Sequence, residues 1–230
     1  FNISTAFIRD HYALVTGKRG MRFSGTDGVR PIWLSEDAWL GWLVIVGSIP
    51  IGTLGLLFKD FIEGSGTKNL WVIAIMLIVI ALLLVAAELI GSQRKDIKHL
   101  GFTDALVQGF SQCLALMPGA SRSGSTIMGG LFAGEKRETA ARFSFLLSIP
   151  AITASGLLEL RKAITILPHE SFVPLFVGTL VAGIVGYASI WALLAYLRRN
   201  TTYVFVIYRL ILGTVILVLL YKGVISPVVH

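Results

Sequence analysis

The stretch Met117-Pro118-Gly119-Ala120-Ser121-Arg122-Ser123-Gly124-Ser125-Thr126 sits in the middle of an apolar segment, residues 103–133, and interrupts it. The segment is hydrophobic enough to enter a bilayer, but Pro118, Gly119, Gly124, Gly129 and Gly130 break its helical continuity. Proline removes an amide donor and glycine weakens a helix, so the pattern predicts two half-helices meeting at an irregular turn. Irregular backbone survives at membrane depth only where protein or a watered cavity satisfies its polar groups. A re-entrant hairpin meets that condition.

The rest of the chain supports a membrane setting. Its 230 residues are 55% hydrophobic and only 14% charged, with a mean hydropathy of +0.78. A water-soluble domain of this size needs more polar surface to cover its core. Five apolar stretches reach the length of about 20 residues that crosses a hydrocarbon core: 38–58, 70–91, 143–160, 172–197 and 203–221. A shorter half-apolar piece, residues 1–15, runs into the polar stretch 17–30 and reads as the tail of something longer. The expected fold is an all-α polytopic membrane protein forming one integral membrane domain over residues 1–230. The single cysteine, Cys113, excludes an internal disulfide framework and a cysteine-based zinc cluster.

Charge placement sets the topology. With segment 9–37 on the cytoplasmic side, that side also receives Arg94, Lys95, Lys98, Lys136, Arg137, Arg142, Arg198 and Arg199. The opposite side receives Lys59, Lys68, Arg161, Lys162 and Lys222, so thirteen basic residues face five. This obeys the positive-inside bias only if 103–133 returns to its own side. The net charge of +7 therefore belongs to topology and headgroup contact; no basic stripe interleaved with aromatics suggests a nucleic-acid partner.

Two of the twenty basic residues, Arg122 and Arg209, fall within apolar sequence. An arginine at that depth costs about 2.5–3.5 kcal/mol on insertion scales, which marks it as functional by default. Arg122 stands among Ser121, Ser123, Ser125 and Thr126 where a helix opens. A guanidinium fork matches phosphate geometry, hydroxyls add donors, and the first amides of a helix favour an anion. Ser121 and Ser123 are candidates for the chemistry beside Arg122. Gly119, Gly124, Thr126, Gln112 and Arg209 are candidates for binding. The competing structural reading is that serine and glycine permit close helix packing, which accounts for the small residues but not for the arginine. Glu88 and Glu159 lie near span ends beside basic loops and read as solvated surface carboxylates. His11, His99, His169 and His230 read as solvent-exposed, and no H-x-x-x-H or H-E-x-x-H spacing occurs.

The run from Phe110 to Thr126, carrying Pro-Gly-x-Ser-Arg-Ser-Gly-x-Thr, closely resembles a signature of the undecaprenyl-diphosphate phosphatase family, the bacitracin-resistance proteins. Arg142-Phe143-Ser144-Phe145-Leu146-Leu147-Ser148-Ile149-Pro150, the run 49–58 and Ile207-Tyr208-Arg209 resemble the same family. The resemblance implies a phosphatase of the bacterial cell membrane that removes the terminal phosphate from a polyprenyl diphosphate, recycling the cell-wall lipid carrier. It implies an inverted-repeat bundle, with 1–91 as the remainder of a first repeat and 92–230 as a second repeat containing the hairpin 103–133. Arg122 would then clamp the diphosphate, with Ser121, Ser123 and Thr126 around it. The resemblance also implies a divalent cation, magnesium or calcium, and leaves room for a homodimer. One departure stands out: the family's E-x-x-x-E pair and its P-V-S-S-x-x-H signature are not in this sequence. The carboxylates that would hold the cation are therefore not in this chain. A lipid-phosphate transporter or flippase using the same Arg122 site, without hydrolysis, is the alternative.

Overall fold

The computed structural model describes residues 3–15, 35–58, 64, 69–166 and 172–227. Eight α-helices occur among them, and five are long and apolar enough to cross a membrane. Helix α1 (Ile3–Val15) packs on α2 (Glu36–Leu57), and α3 spans Leu70–Ile90. Ser35 caps α2 by accepting the Ala38 amide at 3.4 Å, and Glu36 and Asp37 place negative charge in its first turn. Both features favour a helix start at that point. Asn69 caps α3 in the same way, its side chain accepting the Trp71 amide at 2.9 Å.

The expected interruption is present. Helix α4 (Phe102–Cys113) runs into a single 3-10 turn at Leu114–Leu116, the chain reverses through 117–121, and α5 (Arg122–Phe132) returns against α4. At 1.5 Å per residue these helices are each about 18 Å long or less, short of the roughly 30 Å hydrocarbon core. The two ends of the hairpin are clasped together. Arg94 and Lys95 donate their amides to the Gly134 carbonyl at 2.9 and 3.0 Å, and the Lys136 amide donates to the Lys95 carbonyl at 3.0 Å. Entry and exit therefore lie on one side, as the charge count requires.

Helix α6 (Arg137–Ile166) starts from that clasp, followed by α7 (Phe172–Leu197) and α8 (Tyr203–Tyr221). Arg198 at the end of α7 donates to Glu138 at the start of α6 at 2.7 Å, which places both on the clasp side. At the other end of the bundle, the Leu70 amide donates to the Pro227 carbonyl at 2.9 Å. The five predicted spans all match helices, with α2 and α6 beginning earlier than hydropathy alone indicated. Lys18, Arg19, Arg22, Arg30, Lys59, Lys68, His169 and His230 lie outside the described residues.

Two apolar clusters hold the bundle. One joins α1, α2, α4 and α6 around Trp39, Leu43, Leu100 and Phe143. The other joins α3, α5, α6 and the α7–α8 corner around Leu84, Met128, Leu131 and Val206. The hairpin sits between them. Helices α2 and α4 cross so closely that a methyl group on Gly109 would fall on the Gly47 backbone. Small residues at such a crossing let backbones meet where burial of apolar surface from water gives no drive.

Candidate anion site at the hairpin tip

Two backbone strains shape the tip. Gly119 adopts φ +88°, and a methyl group there would strike the Ile73 carbonyl of α3, so only glycine fits. Ser121 is not glycine yet has φ +63°, a conformation held by its surroundings. In that position it caps α5, its Oγ accepting the Gly124 amide at 3.2 Å. The Ser125 amide donates to the Ser121 carbonyl at 3.0 Å, closing the first helical turn. The amides of Arg122 and Ser123 have no hydrogen-bond partner among the described residues. Neither does the half-buried guanidinium of Arg122. Two open amides and an arginine side chain without a hydrogen-bond partner among the described residues thus share one helix start, a composition that suits an anion.

Arg209 has another task. Its Nη2 donates to the Gly119 and Ala120 carbonyls, both at 2.9 Å, and its Nε donates to the Leu77 carbonyl at 3.3 Å. From α8 it ties the tip to α3 and satisfies carbonyls that no helix can. Its Nη1 stands 3.1 Å from where a side chain on Gly124 would begin.

The candidates divide between two faces of α5. Ser121, Ser123, Gly124 and Arg209 line a cavity of about 190 Å³, closed by Leu84, Ile127, Leu193, Leu197, Phe205 and Tyr208. Thr126 falls on the face toward α4 and α6. There the buried Thr126 hydroxyl pairs with Ser144, and Gly129 lies against Ser111. Thr126 thus stands behind the tip, with its hydroxyl also reaching the Arg122 carbonyl at 2.9 Å. Gln112 is fully buried and makes no hydrogen bond to the described residues at either end of its side chain.

Two sequence expectations need correction. Glu88 is not a surface carboxylate: it is 7% exposed, ion-paired with Arg137 and accepts the Thr202 hydroxyl at 2.9 Å. An acidic residue within the run Ala86-Ala87-Glu88-Leu89-Ile90 was the signal that could have shown this, since such a charge persists only with a partner. His11 is not free in solvent: it lies in α1, stacked on Phe7 and accepting the Trp42 indole N–H at 2.9 Å. Glu159 is exposed as expected, ion-paired with Lys162. Sequence reasoning missed Glu135 and Gln108, which are fully buried and joined at 2.7 Å.

A divalent cation finds no home among these groups. No cluster of three or more His, Cys, Asp or Glu occurs among the described residues, and no carboxylate lines the cavity. Arginine and free amides repel a cation, so the residues present do not fit one and no step is derived through it.

The described residues form a helical membrane bundle with a broken hairpin, whose tip carries open amides and an arginine side chain with no hydrogen-bond partner among them. Residues 3–215 match the family described as bacitracin resistance protein BacA, and the chain belongs to that family. It is 52% identical over 188 residues to an undecaprenyl-diphosphatase of Syntrophobacter fumaroxidans, covering 82% of this chain and 67% of the relative. It is 49% identical over 197 residues to one of Mycolicibacterium vanbaalenii, covering 84% and 71%.

Proposed function

We propose that this protein hydrolyses undecaprenyl diphosphate to undecaprenyl phosphate and inorganic phosphate in the bacterial cell membrane, with the diphosphate seated on the first turn of α5. The observation that carries this is the pairing of an unpartnered Arg122 guanidinium with the open amides of Arg122 and Ser123. Phosphoryl transfer depends chiefly on positioning and charge neutralisation, and these groups supply both. Arg122 grips two oxygens through its fork, the amides take a third, and the Ser121 and Ser123 hydroxyls orient the group. The mostly apolar walls of the adjoining cavity suit the first isoprene units of a lipid substrate.

The chain spans 67–71% of these two relatives' length. The resemblance assigns attack and leaving-group chemistry to carboxylate and histidine groups that this sequence does not hold. The inverted repeat would bring such groups to the open side of Arg122. Phosphate release from a polyprenyl diphosphate by the full-length protein in proteoliposomes, lowered about 10²–10³-fold in Arg122→Ala, is the expected result. Equal release by both proteins would refute the assignment. Lipid translocation without phosphate release would establish the transporter instead.

A further inference from the structure

Three polar residues, Asp104, Gln108 and Gln112, recur one turn apart on α4 and are all buried. On a helix otherwise apolar or small this is a continuous polar stripe facing inward. At its clasp end Lys95 donates to Asp104 at 2.6 Å, and next to it the Gln108 amide donates to Glu135 at 2.7 Å. Gly130 of α5 makes room for that pair: a Cβ there would stand 2.7 Å from Gln108 Nε2 and 2.9 Å from Glu135 Oε2. Yet the stripe is not self-satisfied. Gln108 Oε1, Glu135 Oε1 and both polar atoms of Gln112 are buried without a partner among the described residues. Orphaned polar atoms at this density call for ordered water.

The stripe also leads somewhere. Ser111 lies against Gly129, so the next turns of α5 toward the tip carry Thr126, whose hydroxyl meets Ser144, and then Arg122. From Gly130 to Arg122 is about 12 Å along the helix. The proposed reaction needs an outlet for a proton. Water oxygen bonds to the terminal phosphorus as its bond to the bridging oxygen breaks. The trianionic diphosphate and water then give a lipid phosphate dianion, hydrogenphosphate and one proton. Left beside Arg122, that proton would oppose the next turnover.

We propose that the buried stripe holds a chain of internal waters that carries this proton from the hairpin tip past Gln112 and Gln108 to Glu135, which releases it at the clasp. The outlet role rests on the phosphatase reading; the water chain does not. Burial, and the nearby Asp104 carboxylate, push the Glu135 carboxyl up to about 7 against the Gln108 hydrogen bond and the Lys95 charge, so it exchanges protons at physiological pH. The other charges around it are engaged: Lys136 with Asp96, Arg137 with Glu88, and Glu138 with Arg198, while Arg142 lines a separate cleft with Asp96 and His99.

This chain has only three glutamines, 93, 108 and 112, so side-chain amide labelling in bilayers isolates the stripe. Water-edited solid-state NMR of this protein should polarise the Gln108 and Gln112 amides as fast as Gln93 on the clasp loop, with Gln112→Leu assigning its signal. Slow transfer to both would overturn the water chain, whether or not the protein hydrolyses lipid diphosphate. Infrared titration should show the protonated Glu135 band disappearing near neutral pH and missing in Glu135→Gln; a band that does not titrate would overturn the proton role. In the full-length enzyme, Glu135→Gln should lower kcat at least about tenfold above neutral pH, with KM unchanged and the pH–kcat profile flattened. Glu135→Asp should restore the slope. An unchanged profile in Glu135→Gln would overturn the outlet, whereas absence of hydrolysis in every variant would refute the phosphatase reading alone.

Discussion

Gly119 and Arg209 do adjacent work at the tip, and their substitutions separate architecture from chemistry. A methyl group at Gly119 meets both a left-handed backbone and the Ile73 carbonyl. Gly119→Ala should therefore destabilise the protein by at least about 1–2 kcal/mol, read as a lower melting temperature in detergent. Arg209→Lys keeps the charge but cannot serve Leu77, Gly119 and Ala120 together. It should lower both melting temperature and activity, because one ammonium replaces a rigid fork. The Arg122 side chain makes no hydrogen bond among the described residues, so Arg122→Ala should leave the stability within about 0.5 kcal/mol of native, read as a nearly unchanged melting temperature. Its kcat/KM for a polyprenyl diphosphate should fall about 10²–10³-fold, the loss typical of a removed charge-stabilising donor. The sequence marked both Arg122 and Arg209 by their apolar setting but not their different tasks. The carbonyls that occupy Arg209 come from two other elements, and no local pattern shows which arginine will be spent on backbone and which left open.

The hairpin is the element on which the fold turns. Its existence was readable because proline and glycine in an apolar segment have a fixed meaning, and its direction was readable because charge counts whole loops. Its interior was not. The stripe Asp104, Gln108, Gln112 has helical spacing, but Glu135 reaches it from beyond α5, through a turn whose register depends on the Lys95 clasp. Glu88 was misread for a similar reason: Thr202 and Arg137, 114 and 49 residues away, take it out of water. A pH prediction belongs to this element. Glu135 binds its proton more tightly folded, near 7, than unfolded, near 4.5. Stability is then greatest below about 4.5, falls as pH rises through 7 by about 3 kcal/mol, and is level above that. Thermal unfolding across pH 4–8 should show this slope in the native protein and a much smaller one in Glu135→Gln.

At the scale of the whole molecule, the charge asymmetry makes a topological claim. Single cysteines at Lys98 and Arg199, in a protein with Cys113 replaced, should react with an impermeant maleimide from the cytoplasmic side. A cysteine at Lys162 should react only from the opposite side, and labelling of all three from one side would contradict the re-entrant hairpin. Purified alone, the 230-residue chain should bind a polyprenyl diphosphate through Arg122 but release phosphate slowly, because no carboxylate stands at the tip among the described residues. Robust release would show that Ser121 or Ser123 suffices.

The tether from α8 to the tip also bears on how the protein is made. Helices α4 and α5 are too short to be held in the bilayer as spans, and their ends are clasped only once Gly134 and Lys136 have emerged. Even then the tip carbonyls of Gly119 and Ala120 wait for Arg209, on the helix synthesised after all the other described ones. Completion of the anion cradle is thus a late event of biosynthesis. A nascent chain stalled before α8 carries the signature residues without the geometry on which the proposed diphosphate site depends.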